Sequence, residues 1–319
     1  MWSSLVLVLI LLSYFFLLLV PIHHAELSQE EIKGYTDYLS QGLAQKGTLT
    51  TPDKVESVVY EAHELSVELY GNSAAMRSRF MGKLLPIYAQ AANEDVVIIA
   101  TPGGWGVDAV TEGGQWWPVV EGMRSTLEGW GYSPVIVDYL RMTTRADTSA
   151  YFREIQDLFR FYGVTANELA AIVKFLVEDN PEVKIIITGL SHGAAYTDAV
   201  IKRLYSEPQV LEHVVGIEGG PPWYHFCLQS DRAFVTRSNG IVPDNWSQGN
   251  RALIFRKTIT GTVEWLADKT PWFANEQRRI EKHNRHAYYI QTPGHDYGWY
   301  PEFSFLVTGF LQPHFSPQV

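Results

Sequence analysis

From residue 95 onward, short apolar runs alternate with longer segments in which apolar residues recur at helical spacing. The short runs lack the every-second-residue polar pattern of a half-exposed strand, which indicates strands that are buried on both faces. The predicted strands lie in DVVIIATPGGWG, SPVIVDYL, VKIIITG, HVVGIEGG, DRAFVTRSNGIVP and HAYYIQTPG, and the predicted helices in WWPVVEGMRSTLEGWG, TANELAAIVKFLVEDNP and AAYTDAVIKRLYS. This order predicts an α/β fold with a mostly parallel sheet and helices on both faces, whose ligand site lies at the carboxyl ends of the strands.

The N-terminal segment has a different pattern. Residues 5–22 carry no charged side chain and consist mostly of Leu, Val, Ile and Phe, a run that is long enough for a membrane-spanning helix. No Lys or Arg precedes this run and no clear small-x-small cleavage site follows it, so residues 1–25 are predicted to be an uncleaved signal anchor rather than a cleaved signal peptide. We therefore expect the chain to be membrane-anchored or secreted, with the extracytoplasmic side favoured.

The remaining chain is predicted to have two parts. Residues 26–92 show charged, helical patterning without a chemical motif, and Thr51-Pro52-Asp53 is a typical helix start. Residues 93–319 carry the strand–helix alternation and form the predicted α/β domain. Within it, residues 251–285 do not follow the alternation, and we expect them to be an insertion that covers the ligand site.

Composition narrows the classes of function. The formal net charge is −10 and the pI is near 5.5, without a basic stripe, so a nucleic acid partner is not expected. Cys227 is the single cysteine, which excludes an intrachain disulfide. No Cys/His cluster has metal-ligand spacing, and neither a metal nor a cofactor is expected from the sequence.

One short motif carries chemistry. Gly189-Leu190-Ser191-His192-Gly193 fits G-x-S-x-G between a predicted strand and a predicted helix. In that context the turn is so sharp that the serine Oγ is exposed above the sheet, and the glycines leave room for the helix to pack on the strand. The backbone N–H of His192, at the positive end of the helix, would point to where an oxyanion forms. Ser191 is therefore a candidate nucleophile.

Three motifs in this order support a resemblance. The segments IIATPGGWG, IIITGLSHGAA and TPGHDYGW lie within a region, residues 95–312, that resembles the α/β-hydrolase superfamily and locally its lipase and esterase branches. The resemblance implies that His295, in a Gly-bounded loop near the C-terminus, is the general base. It also implies a second oxyanion N–H in the loop after the first strand, from Gly104 or Trp105.

The acid that should orient His295 is ambiguous in the sequence. The family often places it in a turn such as D-x-I-V-P, but here the usual slots in SNGIVPDNW hold Asn239 and Gly240. Asp244 is the nearest replacement, Glu218 at the end of an earlier strand is the second candidate, and Asp268 is the third. The absence of any functional acid is a further alternative.

These motifs predict a serine hydrolase that cleaves carboxylic esters through an acyl-enzyme, with Ser191, His295 and Asp244 (or Glu218) as the triad. The aromatic content and the predicted anchor favour a small-molecule or lipid ester as substrate. The alternative is a non-catalytic protein of the same fold that binds a ligand and whose acid position is degenerate. Fold alone does not choose between ester hydrolysis and related acyl transfers.

Overall fold

A computed structural model of the chain describes residues 28–48, 50–104, 106, 108–141, 162–163, 165–250, 252 and 294–315. The chain divides into two compact units, Met1–Ala92 and Asn93–Val319. The predicted anchor (1–25), Trp105 and, save for residue 252, the predicted insertion (251–285) lie outside the described residues. Within the described residues, no helix combines the length and the apolar character needed to cross a bilayer.

Between residues 28 and 92, the described part of the first unit, the chain forms α1 (Gln29–Gln45), α2 (Pro52–Tyr70) and α3 (Ala74–Ala91). Helix α1 begins with a capping box in which Ser28 and Glu31 exchange hydrogen bonds. Helix α2 begins after Thr51, whose side chain accepts from the backbone N–H of Lys54. Each helix buries an apolar stripe that includes Leu39 and Leu43 of α1, Val58, Val59 and Ala62 of α2, and Phe80, Leu84 and Leu85 of α3.

The second unit is built on a sheet to which the described residues contribute five strands. Its strands are β1 (Val96–Thr101), β2 (Pro134–Asp138), β3 (Lys184–Leu190), β4 (Val214–Gly219) and β5 (Ala233–Thr236). They are ordered β2-β1-β3-β4-β5, and every neighbouring pair is parallel. Every residue of β1 and β4 is buried, as expected for strands covered on both faces. The predicted α/β fold with a parallel sheet is confirmed for the described strands, while most of the predicted sixth, HAYYIQTPG, lies outside the described residues.

Helices cover both faces of this sheet. They are α4 (Trp117–Gly129), α5 (Thr165–Asp179), α6 (His192–Leu204), the short α7 (Pro208–Leu211) and α8 (Pro301–Phe315). Helices α4 and α8 bury apolar side chains against one face, where Ile98, Ile186 and Ile217 of the sheet lie. Helix α6 covers the other face, since a Cβ on Gly216 would lie 3.0 Å from Ile201 of that helix.

Helix α8 was not among the elements predicted from the sequence. Its buried residues are Phe303, Val307, Leu311 and Phe315, a strict spacing of four that keeps them on one face of a helix. Pro301 stands at the first helical position, where a proline is well tolerated. The apolar spacing of a helix was therefore present in the sequence, but the preceding Gly- and aromatic-rich loop obscured it.

Register in the sheet determines where the loops converge. Thr101 lies opposite Gly189, and Gly189 lies opposite Glu218. The chain leaves β1, β3 and β4 at the same carboxyl edge, so the loop after Thr101, the turn at Ser191 and the turn at Gly220 meet there.

Candidate active site

Ser191 occupies a strained turn between β3 and α6. Its backbone has φ 56° and ψ −119°, a conformation that non-glycine residues rarely adopt and that costs roughly 1–3 kcal/mol. The N–H of Ser191 donates to the carbonyl of Gly219 at 2.8 Å, which ties the turn to the end of β4. The side chain is partly exposed. This is the geometry expected of a nucleophile presented above the sheet.

The two glycines of the motif are required by close packing. A Cβ on Gly189 would lie 2.3 Å from Thr101 Oγ1, and a Cβ on Gly193 would lie 2.3 Å from the Thr101 carbonyl oxygen. The Thr101 hydroxyl lies 3.0 Å from the carbonyl oxygens of Thr188 and Gly193 and 3.1 Å from Thr197 Oγ1. Strand β1 is thereby held against both sides of the serine turn.

Asp244 and His295 form a buried pair. The Nδ1 atom of His295 lies 2.8 Å from Asp244 Oδ2, and Tyr297 donates its hydroxyl to the same oxygen at 3.0 Å. The other oxygen, Oδ1, accepts from the backbone N–H groups of Trp246 and Ser247 at 2.9 and 3.1 Å. Burial and the adjacent Asp244 carboxylate raise the pKa of Tyr297, so its hydroxyl keeps its proton and remains a donor. The pair is therefore fixed in one orientation, with the proton of the neutral ring on Nδ1.

Two glycines bring this pair to the serine turn. A Cβ on Gly294 would lie 2.2 Å from the Pro243 carbonyl oxygen, so the histidine loop backs directly onto the acid loop. A Cβ on Gly220 would lie 2.4 Å from Asp244 Oδ2 and 3.0 Å from His295 Nδ1. The Gly219 carbonyl accepts from the Ser191 N–H, and the next residue, Gly220, borders Asp244 and His295. The serine turn and the Asp244–His295 pair are therefore joined through Gly219 and Gly220. Among the described residues, no hydrogen bond joins Ser191 Oγ to His295 Nε2, and such bonds often tighten only when substrate binds.

The loop after β1 is held by a buried guanidinium. Arg141 donates from Nη1 to the Pro102 carbonyl at 2.6 Å and from Nη2 to the Gly104 carbonyl at 2.7 Å. Its guanidinium carbon lies 5.6 and 5.4 Å from the ring centroids of Tyr162 and Tyr196. Gly104, one of the two predicted oxyanion donors, has φ 53° and is shaped by this clamp. The other, Trp105, lies outside the described residues.

The side chain of His192 faces this loop. Its Nδ1 lies 3.3 Å from the Gly104 carbonyl oxygen and its Nε2 lies 3.0 Å from the Tyr224 hydroxyl. Because a carbonyl oxygen only accepts, Nδ1 carries the proton and Nε2 accepts from Tyr224. Burial and the charge of Arg141 lower the pKa of His192 to about 4, so the ring is neutral near pH 7. Both of its nitrogen atoms are engaged, which leaves His192 poorly suited to act as a base.

The structure brings Asp244, rather than Glu218, to His295. Glu218 is fully buried, and its side chain is on the α6 face of the sheet, as is the neighbouring Gly216 two residues earlier. Asn239, in the slot where the sequence resemblance would place an acid, accepts from the N–H groups of Ile241 and Val242 and thus shapes the turn. Asp268 lies outside the described residues.

Sequence reasoning missed the residues that support this site. They come from separate elements and have no motif in common: Gln115, which donates to the His295 carbonyl at 2.7 Å, Arg141, Tyr224 and Tyr297. Only Tyr297 offered a local signal, because it lies two residues after His295 within the quoted histidine loop.

Comparisons with known proteins add little to this description. No protein family matches the chain, and no curated protein does so. Among solved structures, the chain is similar to Trichoderma reesei cutinase in complex with a C11Y4 phosphonate inhibitor, at 15% identity and a TM-score of 0.31, over 67% of this chain and 87% of that one. A TM-score this low carries no argument, so the fold and site rest on the geometry above.

Proposed function

We propose that the protein is a serine hydrolase that cleaves carboxylic esters. The observation that carries the proposal is the buried Asp244–His295 pair, at 2.8 Å, placed beside the turn that strains Ser191. A nucleophilic serine needs a base, and the base needs an orienting group. The pair and the serine turn border the adjacent residues Gly219 and Gly220 although they are distant in the sequence, which favours chemistry over an inert turn.

The reaction would proceed through an acyl-enzyme. Ser191 Oγ attacks the ester carbonyl while His295 Nε2 takes its proton, and the developing imidazolium is stabilised by Asp244. The tetrahedral oxyanion accepts from the N–H of His192 and from an N–H in the loop held by Arg141. His295 then returns the proton to the leaving alcohol, and water hydrolyses the acyl-enzyme by the same steps. The nucleophile, the base, the orienting acid and the oxyanion donors named here all belong to the chain.

The proposal extends to esters with an apolar acyl chain, such as lipids. Trp223 and Phe226 are 41% and 84% exposed on the loop that also carries Tyr224, the partner of His192. Apolar aromatic surface beside a catalytic centre favours apolar substrates. We also retain the proposal that residues 1–25 anchor the chain in a membrane with this unit on the extracytoplasmic side.

Fluorophosphonate labelling of the full-length chain tests the proposal. We expect one label per chain, lost in Ser191→Ala and reduced by several orders of magnitude in His295→Ala. Ser206→Ala, at the end of the same helical region, is the matched control and should label like the wild type. A series of p-nitrophenyl esters of increasing acyl length, assayed beside the labelling, tests the preference for apolar substrates.

The rival function is a ligand-binding protein without catalysis. The Asp244 carboxylate, 2.8 Å from His295 Nδ1, supports catalysis over this alternative. The binding function would be adopted if the folded wild type neither labels nor hydrolyses any ester in the series. Labelling that survives Ser191→Ala would instead place the reactive group elsewhere and contradict the role proposed for Ser191.

A further inference from the structure

A second cluster of reactive side chains lies under α6, on the face of the sheet opposite Trp116. Asp198 comes from α6, Glu218 from β4, and His225 and Cys227 from the loop that follows β4. One ligand atom each from Asp198, His225 and Cys227 lie within 4.8 Å of one another. Asp198 and Glu218 are fully buried and His225 is nearly so, whereas Cys227 is partly exposed. None of these residues has a task in the ester hydrolysis proposed above.

Glu218 is the member of the cluster whose carboxyl oxygens lack well-formed hydrogen bonds. Neither of its carboxyl oxygens has a well-formed hydrogen bond within the described part of the chain, although the Cys227 thiol is close enough to perturb its pKa. Burial, followed by the negative charge of Asp198, raises the pKa of Glu218 well above its usual value. A fully buried carboxyl whose neighbour is a thiol, a weak donor, is costly, and such groups are usually explained by a ligand or by a special role.

We propose that Asp198, His225 and Cys227, whose ligand atoms already lie close together, bind one Zn²⁺ ion, and that the Glu218 side chain moves in as the fourth donor. One thiolate, one imidazole and two carboxylates are donors that zinc accepts, and four protein ligands without an open position are typical of a structural site. The expectation of no metal site rested on spacing in the sequence. The four residues escape that criterion because they come from a helix, a strand and a loop, and only the fold brings them together.

The charges of the surroundings suit a dication. Asp198 Oδ1 accepts from the Leu228 N–H at 2.7 Å, and Asp198 Oδ2 lies 2.6 Å from both His225 Nε2 and Lys202 Nζ, which is the set of partners expected of a carboxylate. Zinc binding releases the protons of the Cys227 thiol and the Glu218 carboxyl to solvent. Three anionic donors then face the ion, and Lys202 remains bound to Asp198.

Closing the coordination shell requires the His225–Asp198 pair to separate and the Glu218 side chain to approach the other three ligands. His225 Nε2 lies 2.6 Å from Asp198 Oδ2, and two ligands of a tetrahedral zinc with bonds of about 2.0–2.1 Å lie about 3.3 Å apart. The ion replaces the proton between His225 Nε2 and Asp198 Oδ2. The neutral imidazole then carries its proton on Nδ1, and the distance between the two ligand atoms increases. Lys202 Nζ, at 2.6 Å from Asp198 Oδ2 and 2.7 Å from the Phe226 carbonyl, remains as a partner from outside the shell. Partly exposed Cys227 marks the route of entry.

The ion would fasten the loop after β4 to helix α6. That loop carries Tyr224, whose hydroxyl binds His192, and α6 begins immediately after Ser191. The role is thus structural, and it does not depend on whether Ser191 is a nucleophile. Binding to the folded state alone raises thermal stability in proportion to the logarithm of the free zinc concentration.

Cobalt substitution in the full-length chain tests the proposal. After removal of metals with a chelator, Co²⁺ should bind with one equivalent and produce the visible bands of tetrahedral coordination together with a sulfur-to-cobalt charge-transfer band. Because Cys227 is the only cysteine of the chain, that band can arise only from this site. Zinc should displace the cobalt and abolish the bands, since it binds such sites more tightly.

Variants test whether the ion binds at the proposed site rather than at other histidines. Cys227→Ser should abolish the charge-transfer band, and Glu218→Gln should weaken Zn²⁺ affinity at least about 10-fold, the order of loss expected when a charged ligand is neutralised. His213→Gln, whose Nδ1 faces the Val183 carbonyl at 3.1 Å, is the matched control and should bind Zn²⁺ like the wild type. The proposal is overturned if the wild type shows no charge-transfer band, or if zinc affinity is the same in the wild type and Cys227→Ser. Should a variant fail to fold, the wild-type spectrum alone decides.

Discussion

Both carboxylate oxygens of Asp244 accept hydrogen bonds, and their different partners determine the effect of replacing Asp244 with asparagine. An asparagine in its place would keep an oxygen for the N–H groups of Trp246 and Ser247, but it would present an amide N–H₂ to His295. The ring would then favour the tautomer with its proton on Nε2, which cannot accept the serine proton. We expect Asp244→Asn to lower kcat by about 10⁴-fold, measured on p-nitrophenyl esters.

Two neighbouring carboxyls provide controls for that substitution. Asp296 is adjacent to His295 in sequence, yet it pairs with Asn239 Nδ2 at 3.1 Å, so Asp296→Asn should retain most of the activity. In metal-free protein, Glu218→Gln should also retain it, because Glu218 faces α6. A loss in Glu218→Gln that matches Asp244→Asn would reassign the acid.

Arg141 acts on the oxyanion through the loop it holds, so it is a positioning residue. Lysine would retain the charge but would lose the fork that binds the Pro102 and Gly104 carbonyls together. We expect Arg141→Lys to lower kcat about 10²-fold with little change in KM, because the loop matters most when the oxyanion develops.

The split between kcat and KM distinguishes positioning from stability. Arg203→Lys is the matched control, since Arg203 binds Asn167 Oδ1 at 2.6 Å, away from the loop after β1. If Arg141→Lys lowers only the melting temperature, and the folded fraction turns over like the wild type, the clamp has no catalytic consequence.

His192 should make the protein sensitive to mild acid. Its pKa in the folded state is about 4 because of burial and the charge of Arg141, whereas in the unfolded chain it is near 6.5. Between these values the unfolded chain binds a proton that the folded chain excludes, so the free energy of unfolding falls as pH falls from about 6.5 to about 4.

Comparing His192→Gln with the wild type isolates this contribution from those of other histidines. The variant cannot titrate at this position, so its melting temperature should fall less over the same pH range, and the difference should level off below about pH 4. A difference that stays constant with pH would show that His192 has an ordinary pKa.

At the scale of elements, the junction of β3 and α6 tolerates no added volume on its sheet side. A Cβ on Gly189 would lie 2.3 Å from Thr101 Oγ1 and 2.5 Å from the carbonyl carbon of Gly193. We expect Gly189→Ala to destabilise the protein by about 1–3 kcal/mol, measured by chemical unfolding, and to abolish labelling of Ser191. Gly129→Ala, at the end of α4 with no atom within 4 Å of the added Cβ, should change stability by no more than about 1 kcal/mol. Equal effects would contradict the steric argument.

The sequence was most informative where an element is fixed by local rules. Strands β1, β3 and β4 are mostly apolar and almost entirely buried, and a run of that kind is stable only between two covering layers. Helix α8 has an equally clear period of four, but its Gly- and aromatic-rich surroundings obscured it. The glycines around Ser191 predicted a tight turn, and the structure shows which neighbour makes each of them necessary.

At the scale of the whole molecule, the sequence could nominate the site but could not complete it. Ser191 is recognisable because strand, turn and helix are contiguous. Asp244 could not be separated from Glu218, since the choice depends on which face of the sheet each side chain occupies and on how the loop after β5 folds back. Arg141 was beyond prediction, because its partners are carbonyl groups and any residue type supplies those.

The hydroxyl of Thr101 lies close to three oxygen atoms, two carbonyls and the Thr197 hydroxyl, and this has a consequence for any screen of variants selected by activity. In a saturation library, valine would match the shape of the side chain but would remove the single hydroxyl proton that faces the buried Thr188 and Gly193 carbonyls, while larger residues would collide with Gly189. Serine alone would approximate the wild type. Position 101 would then tolerate as few substitutions as a nucleophile, and activity data alone would suggest that Thr101 contacts the substrate. The loss of activity would instead arise because Thr101 maintains the geometry of the serine turn.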